Sequence, residues 1–276
     1  MNYLRYTLLA LALGTAACGP RELAPDDPIE CERCAEWNEP QEPFRVHGNT
    51  WYVGTDGLSA ILIESDDGLI LIDGGLPQSA AAIEANIRAL GFDPLSIKAI
   101  LVSHVHFDHA GSQNAFRKAR FHLQDREMSY ATGRYMCHDR IRLPFDVENV
   151  TDMVRHVYDG RVAFHDGDEV LDSGLSLHLV GGHSHGLQIV RVHTRRGWVV
   201  VASDAAHLYA HMETGNPFPI VFNVGDMLEG HRRCHQLADS PDHVVPGHDP
   251  LVMARYPAVS KELEGIAVRL DMPPMS

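Results

Sequence analysis

Three histidines and one aspartate occupy six consecutive positions directly after an apolar segment. The stretch reads S-H-V-H-F-D-H-A-G over 103–111, and its potential ligands are His104, His106, Asp108 and His109. A turn between a strand and a helix can direct the first pair and the second pair towards two neighbouring metal ions. Imidazole and carboxylate without thiolate favour zinc or a similar divalent ion. The spacing predicts a metal site; the alternative is a polar helix start in which Asp108 is the cap and the histidines are solvated.

Three later segments end apolar strands with residues of the same kinds. They are G-G-H-S-H-G over 181–186, V-A-S-D over 201–204 and V-P-G-H-D over 245–249. Each alone has an ordinary explanation, such as a turn histidine or a helix cap. Their shared position at strand ends favours one site at which several loops converge. The candidate ligands are His183 or His185, Asp204 and His248.

Apolar alternation and turn sequences predict an α/β fold from residue 44 onward. Strands are expected at 51–54, 59–64, 69–73, 97–102, 119–123, 162–164, 175–180, 187–193, 198–202 and 243–245. Helices are expected at 78–90, 125–132 and 226–238, with an irregular or helical insertion at 136–154. Two groups of strands, each followed by helices, predict two sheets packed face to face with the helices outside.

The chain is predicted to have three parts: an export signal at 1–18, an extended arm at 19–43 and a single domain at 44–276. An apolar core at 6–13 follows a weakly positive start and precedes small residues, as in secretory signals. A-A-C-G over 16–19 resembles a lipoprotein cleavage box, which would leave Cys18 lipidated and anchored to a membrane. Ordinary cleavage near Ala17 is the alternative. Both predict export to the periplasm.

Five cysteines and a net charge of −14 restrict the interpretation further. With Cys18 set aside, Cys31, Cys34, Cys137 and Cys234 are open to oxidation in an exported protein. We expect either a local bridge between Cys31 and Cys34 or two idle thiols, because their C-x-x-C lies in a polar lead-in. The negative charge argues against a nucleic acid partner, which requires basic patches.

With these residues in place, the chain after residue 35 resembles the metallo-β-lactamase fold superfamily, the αββα sandwich of hydrolases. The resemblance implies two Zn²⁺ per chain, with iron, cobalt or manganese open as partial substitutes. The ligand set that it implies comprises His104, His106 and His183 for one zinc, Asp108, His109 and His248 for the other, and Asp204 as a bridge. The family pattern G-H-S/T-x-G selects His183, leaving His185 beside the metals or towards the substrate.

Two subfamilies share the resemblance. Up to about residue 111 the chain is similar to class B subclass 3 metallo-β-lactamases, over 34–38, 43–55, 71–80 and 89–92. Beyond that point it is similar to N-acyl-homoserine lactonases, over 121–128, 131–136, 203–205 and 241–250. The lactonases use a bridging aspartate, which that lactamase subclass does not. A natural mosaic, a chimera or a transitional sequence would each explain the split.

The resemblance implies a lactonase that opens an N-acyl-homoserine lactone, a quorum-quenching reaction. A zinc-bound hydroxide would attack the ring carbonyl, and Asp108 would protonate the leaving oxygen. A periplasmic subclass 3-like β-lactamase is the alternative, and a non-catalytic metal-binding descendant is a further one. The substrate is thus a small lactone or lactam.

The chain departs from the lactonase pattern at one position. Lactonases place a tyrosine three residues after the bridging aspartate, where this chain has His207, with Tyr209 two residues further on. Both are candidates for the contact to the substrate carbonyl. An apolar wall for the acyl chain is expected from the loops after 130 and 204. Its candidate residues are Met136, Phe145, Tyr209, Met212, Phe218 and Phe222.

Overall fold

Two mixed sheets packed face to face form the centre of the molecule, as described by a computed structural model for residues 24–275. The αββα prediction is therefore confirmed. The predicted export signal, including Cys18, lies outside the described residues. Among residues 24–275, no helix combines the length and apolar character that crossing a membrane requires.

The first sheet contains seven strands that pair in chain order. They are β1 (Phe44–His47), β2 (Thr50–Tyr52), β3 (Ile61–Ser65), β4 (Gly68–Ile72), β5 (Ile97–Leu101), β6 (Arg120–Gln124) and β7 (Val162–His165). Strands β1 to β4 form an antiparallel meander, whereas β4 to β7 are parallel neighbours. Parallel pairing requires long crossovers, and helices occupy these connections.

The second sheet contains five strands in the order β12-β11-β10-β9-β8. They are β8 (Glu169–Asp172), β9 (Leu175–Leu179), β10 (Gln188–Thr194), β11 (Gly197–Val201) and β12 (Val244–Val245). Strands β8 to β11 are antiparallel, and β12 joins β11 in parallel.

Nine α-helices occur within the described residues. They are α1 (Cys34–Trp37), α2 (Ala80–Ala89), α3 (Phe107–Ala110), α4 (Asp125–Ala131), α5 (Asp139–Arg142), α6 (Val147–Tyr158), α7 (Tyr209–Thr214), α8 (Val224–Leu237) and α9 (Leu251–Arg255). The three longest, α2, α6 and α8, pack on the outer faces of the two sheets. Side-chain caps begin the two longest: Asp146 accepts from the first-turn amides of α6, and Asn223 does so for α8. Such caps stabilise a helix by about 1 kcal/mol each.

Apolar side chains fill three layers of this sandwich. Leu101 and Leu177 pack between the sheets. Ile83 of α2 and Met153 of α6 pack on the outer face of the first sheet, and Cys234 of α8 packs on that of the second. Each fully buried apolar side chain contributes roughly 1.5–3 kcal/mol, so the sandwich is held mainly by these layers.

The structure differs from the sequence prediction mainly at the sheet edges. Strands β1 and β8 are both edge strands that the sequence did not indicate. Their side chains are largely exposed, and Val170 of β8 is 74% exposed, so neither strand carries an apolar run. The insertion after residue 136 contains the regular helix α6, and the helix expected from residue 78 begins two residues later.

The arm before β1 is fixed to the domain by a few local contacts. Cys31 and Cys34 form a disulfide, while Cys137 and Cys234 are free thiols. Gln78 exchanges two hydrogen bonds with the backbone of Ile29, at 3.1 and 2.9 Å. The local-bridge alternative is thus the one present.

Candidate metal centre

The loop between β5 and α3 brings its four candidate ligands to the end of the first sheet. His104 and His106 lie in the loop itself, whereas Asp108 and His109 lie on α3. The Nε2 of His104 is 2.9 Å from the Nδ1 of His106. Both imidazoles are almost completely buried, so these two nitrogens face one internal point.

His183 reaches the same point from the second sheet. Its Nε2 lies 3.1 Å from the Nδ1 of His106. One ring nitrogen each from His104, His106 and His183 lies within 4.8 Å of the others, a spacing that can hold one metal ion. The opposite nitrogen of His183 donates to the carbonyl of Ile220 at 2.8 Å, which fixes the ring orientation.

Asp204 lies between two groups of histidines and presents a different oxygen to each. Its Oδ2 is 3.1 Å from the Nε2 of His183. Its Oδ1 is 2.9 Å from the Nε2 of His248 and 3.6 Å from that of His109. This is the arrangement of a carboxylate that can bridge two cations.

A strained turn places Asp204 at this position. Ser203 has a φ of 45°, which costs a non-glycine residue about 1–2 kcal/mol. The neighbouring chain passes so close that a Cβ at Gly247 would lie 2.7 Å from the carbonyl oxygen of Ser203. Glycine before His248 is therefore required by the approach of these two loops.

The two remaining candidate ligands, Asp108 and His185, lie in different surroundings. The Oδ2 of Asp108 lies 3.8 Å from the Nε2 of His109, beside the His109 and His248 group. His185 instead packs against Phe222, with ring centroids 5.2 Å apart. Of the two histidines after β9, His183 is thus the one that meets Asp204.

Burial and neighbouring charges set the protonation of the cluster. Burial lowers the pKa of His104 and His106 well below the usual value, and nearby imidazoles act in the same direction. Burial also lowers the pKa of His109, but Asp108, Asp73 and Asp204 outweigh it and raise that pKa to about 10. Despite its burial, Asp204 has a pKa well below its usual value, because His109 and His183 surround it.

These residues fit divalent metal ions. The donors are imidazoles and carboxylates, the set that zinc and related metals accept. The buried Nε2 of His109 has no hydrogen-bond partner within the described residues. A buried ring nitrogen without a partner costs free energy, which coordination to a cation would recover.

The metallo-beta-lactamase superfamily model matches residues 53–248, which include strands β3 to β12 and all of these side chains. The chain belongs to the metallo-β-lactamase superfamily. It is therefore a metallo-hydrolase of that superfamily by descent.

Relatives within the superfamily fall into two groups. An N-acyl homoserine lactonase of Bacillus thuringiensis is 28% identical over 57% of this chain and 67% of its own length. A crystal structure of a quorum-quenching N-acyl homoserine lactone lactonase has a TM-score of 0.58 at 25% identity, covering 70% of this chain and 79% of that one. The subclass B3 metallo-β-lactamase MEM-A1, from a soil metagenome library, has a TM-score of 0.55 at 30% identity, covering 77% of this chain and 81% of that one.

Two residues that the sequence analysis did not single out orient candidate ligands from the first sheet. The Oδ2 of Asp73 lies 2.8 Å from the Nδ1 of His109. Its Oδ1 accepts a hydrogen bond from the amide of Ser103 at 2.8 Å. The Oγ of Ser103 is 3.0 Å from the Nδ1 of His104. A sequence signal for Asp73 does exist: the motif L-I-D-G-G places this acidic residue directly after the apolar strand β4.

His207 and Tyr209, the two substrate-contact candidates, lie in different places. The Nε2 of His207 is 3.2 Å from Asp204, and its ring stacks on Phe218 at 3.9 Å. Tyr209 instead packs against Arg255, whose guanidinium lies 3.7 Å from its ring centre. His207 therefore faces the cluster, whereas Tyr209, the first residue of α7, faces Arg255 of α9.

A cleft of about 50 Å³ opens beside His106 and His183. Tyr130 and Phe222 line it with ring centres 4.6 Å apart, and the ring centre of Phe145 lies behind this lining, 4.6 Å from that of His106. Of the expected wall residues, Phe145, Phe218 and Phe222 are therefore next to the cluster. Met212 packs among the core residues on the outer face of the second sheet.

Proposed function

We propose that this superfamily hydrolase is a dinuclear zinc lactonase that opens N-acyl-homoserine lactones. The observation that carries the proposal is Asp204, whose two oxygens face His183 at 3.1 Å and His248 at 2.9 Å. A bridging aspartate is the residue in which lactonases differ from subclass 3 lactamases. The relatives named N-acyl homoserine lactonase support the same substrate class.

Seven side chains would hold the two ions. One set is His104, His106 and His183, the other is Asp108, His109 and His248, and Asp204 joins them. When bound, zinc supplies a water with a pKa near 7 and a Lewis acid for the ring carbonyl. The carboxylate of Asp204 offsets positive charge between the two sets.

The chain's own groups would manage the proton and the substrate. Asp108 stands at the edge of the cluster, where its carboxylate can accept a proton and return it to the ring oxygen as the ester bond breaks. Burial lowers the pKa of His207 despite Asp204 and keeps the ring neutral, so the ring has a single N–H, which lies 3.2 Å from Asp204. His207 can donate this hydrogen bond to the substrate carbonyl when the N–H turns from Asp204 to the substrate. Donors of this kind typically stabilise the developing oxyanion.

The aromatic cleft suits the acyl chain. Tyr130, Ile141 and Phe222 border the space beside His106 and His183. Apolar walls bind an alkyl chain by removing it from water, with roughly 0.8 kcal/mol gained for each buried methylene. We therefore expect the KM to fall as the acyl chain lengthens until the cleft is filled.

One comparison tests the proposal. The zinc-loaded chain is assayed for kcat/KM on an N-acyl-homoserine lactone and on a chromogenic cephalosporin, with metal content measured in the same sample. We expect two zinc ions per chain and a kcat/KM at least a hundredfold higher on the lactone. Turnover of the cephalosporin without turnover of the lactone would overturn the proposal.

The second candidate is a β-lactamase. It is favoured by the 30% identity to a subclass B3 enzyme over 77% of this chain, a higher identity than to the lactonase relatives above. The cephalosporin arm of the same assay tests it. A third candidate, a non-catalytic descendant, requires well under one zinc per chain together with no turnover of either substrate.

Export to the periplasm is part of the proposal. The C-x-x-C bridge in the arm is of a kind that persists in oxidising compartments. We expect the mature chain in the periplasmic fraction, and radiolabelled palmitate on Cys18 if the lipoprotein signal is used. Cytoplasmic retention of the full-length chain in a host with active export would contradict this.

A further inference from the structure

A second group of chemically capable side chains lies on the outer face of the second sheet. Along β9, Leu175 and Leu177 point into the layer between the sheets, so Ser176 and His178 point outwards. The Oγ of Ser176 is 2.9 Å from the Nε2 of His178. Both residues are more than nine-tenths buried. The hydroxyl therefore has a fixed basic partner.

The other nitrogen of this imidazole faces a carboxylate. The Nδ1 of His178 lies 3.0 Å from the Oδ2 of Asp168, but its N–H is not aligned with that oxygen, so a small rotation of the ring is needed to form the hydrogen bond. Asp168 is also held by Arg233, whose Nη2 is 2.5 Å from the same oxygen. Although partial burial acts in the opposite direction, His178 and Arg233 lower the pKa of Asp168. The carboxylate is thus ionised at neutral pH.

Serine, histidine and aspartate in this order are the components of nucleophilic serine catalysis. The base contacts the hydroxyl through one ring nitrogen and is oriented by a carboxylate at the other. Such a group can also be a buried polar pair that only satisfies its own hydrogen bonds, and that role requires no space for a substrate. Ser176 and His178 do border a space that a substrate could enter.

A cavity of about 290 Å³ lies directly over these residues. It is bordered by Ser176, His178, Val170, Arg191 and Trp198, among others. This volume is near the lower end of small-molecule sites, roughly 300–1,000 Å³. The cavity can therefore take a small molecule with an apolar or planar part against Val170 and Trp198.

A cation lies beside the hydroxyl. Arg191 is the direct cross-strand partner of Ser176 in the pairing of β9 and β10, so the two side chains are neighbours on one face. Its guanidinium is 4.0 Å from the ring centre of Trp198 and donates to the carbonyl of Leu237. A fixed positive charge at this place can stabilise an oxyanion formed on Ser176.

We propose that Ser176, His178 and Asp168 form a second, metal-independent acyl-transfer site for small carboxylic esters. The Oγ of Ser176 bonds to the ester carbon while its proton passes to the Nε2 of His178. The ester C–O bond then breaks, and the leaving alkoxide takes that proton. Water attacks the acyl-serine with His178 as base, which releases the acid and restores the hydroxyl. No oxidant or further reactant is required.

The test uses a serine-directed alkyl fluorophosphonate on the full chain, with and without a chelator. The Oγ–P bond forms, the P–F bond breaks and fluoride leaves, while His178 accepts the proton. We expect one adduct per chain, located on Ser176 by peptide mass spectrometry and formed at the same rate after metal removal. Labelling of wild-type protein does not depend on the folding of any variant.

Two variants test whether the labelling rate depends on His178. His178→Gln should slow it at least tenfold, because the hydroxyl loses its base. Ser96→Ala is the control: Ser96 is an exposed serine just before β5 whose hydroxyl donates to the carbonyl of Asp93, so the rate should stay within twofold. Absence of an adduct on Ser176 in the folded chain, or an equal rate in folded His178→Gln, would overturn the proposal.

A substrate assay provides the second measurement. With chelator present, p-nitrophenyl acetate should give a burst of about one p-nitrophenol per chain, followed by slow turnover. The burst should be lost in Ser176→Ala and kept in Ser96→Ala, with circular dichroism confirming that both are folded. A burst of equal size in folded Ser176→Ala would also overturn the proposal.

Discussion

The carboxylate of Glu127 accepts a hydrogen bond from the hydroxyl of Ser184 at 2.7 Å and so connects α4 to the loop that carries His183. The same carboxylate accepts from the amide of Gly186 at 2.8 Å. Its other oxygen accepts from the amide of Val105 at 3.0 Å, between two histidines of the first loop. The fully buried side chain of Glu127 therefore holds together loops from both sheets.

Replacement of this carboxylate should loosen both loops. We expect Glu127→Ala to lower the free energy of unfolding by roughly 3–5 kcal/mol, because three buried donors lose their acceptor. Metal affinity should fall about 10–100-fold, as for other residues that orient ligands. Urea unfolding and competition with a chelator measure the two effects. Glu127→Gln preserves the shape of the side chain, so both the free energy of unfolding and the metal affinity should fall less than in Glu127→Ala. Unchanged metal affinity in Glu127→Ala would contradict this role.

Asp204→Asn should separate the two metal positions. The amide has one oxygen rather than two, so it cannot neutralise both groups of histidines. We expect the zinc content to fall from two towards one per chain and kcat/KM to fall by roughly a hundredfold or more. Asp226→Asn, an exposed carboxylate at the start of α8, is the control and should change neither quantity. Two tightly bound zinc ions in Asp204→Asn would argue against a bridge.

His207 and Tyr209 should respond differently to substitution. His207→Ala removes a buried donor beside Asp204 and should lower kcat on the lactone by about tenfold or more. Tyr209→Phe, whose ring faces Arg255, should leave kcat and KM within twofold. His207→Tyr, which introduces the lactonase residue, should recover much of the activity lost in His207→Ala. Equal losses in His207→Ala and Tyr209→Phe would show that the separation of the two side chains is functionally irrelevant.

The arm should dock less firmly as the pH rises. Burial, with the adjacent Asp152, raises the pKa of Asp26 from 3.8 to about 6. A raised pKa means that the folded state prefers the protonated acid. The contribution to stability is therefore complete below about pH 4 and is lost as the pH rises through about 6.

Asp26→Asn should remove this pH dependence. At pH 7.5 the free energy of unfolding of the variant should exceed that of the wild type by roughly 1 kcal/mol. This value is reduced for solvent screening because the carboxyl is partly exposed. The difference should vanish near pH 4. Asp27→Asn serves as the control for net charge and should follow the wild-type curve. Unfolding in urea at several pH values measures the effect, and parallel wild-type and Asp26→Asn curves would contradict it.

The candidate site could be predicted from the sequence because its residues come in short motifs at the ends of apolar strands. Strand ends in one sandwich converge, so H-x-H-x-D-H, Asp204 and His248 could be associated before their distances were known. The two sheets could be predicted from the apolar alternation along the strands and from the turn sequences between them. The choice of His183 over His185 came from a family pattern, and the structure places His183 beside Asp204.

Other features could not be predicted because they depend on contacts between distant segments. Glu127 is an ordinary helical residue in the sequence, and only the fold brings it to Ser184, 57 positions later. Strand β8 lacks an apolar run because it forms an exposed edge. The directions of His207 and Tyr209 depend on where α7 begins, a boundary that local propensity does not determine.

The division of the ligands between the two sheets has a consequence for the order of assembly. Four of the candidate ligands, His104 to His109, precede β6, whereas His183, Asp204 and His248 belong to loops of the second sheet. Neither half alone offers all the candidate ligands of either proposed ion, so we expect high metal affinity only after the sandwich closes. Uptake of zinc during refolding should therefore follow sheet packing, and the chain would be loaded in whichever compartment it folds.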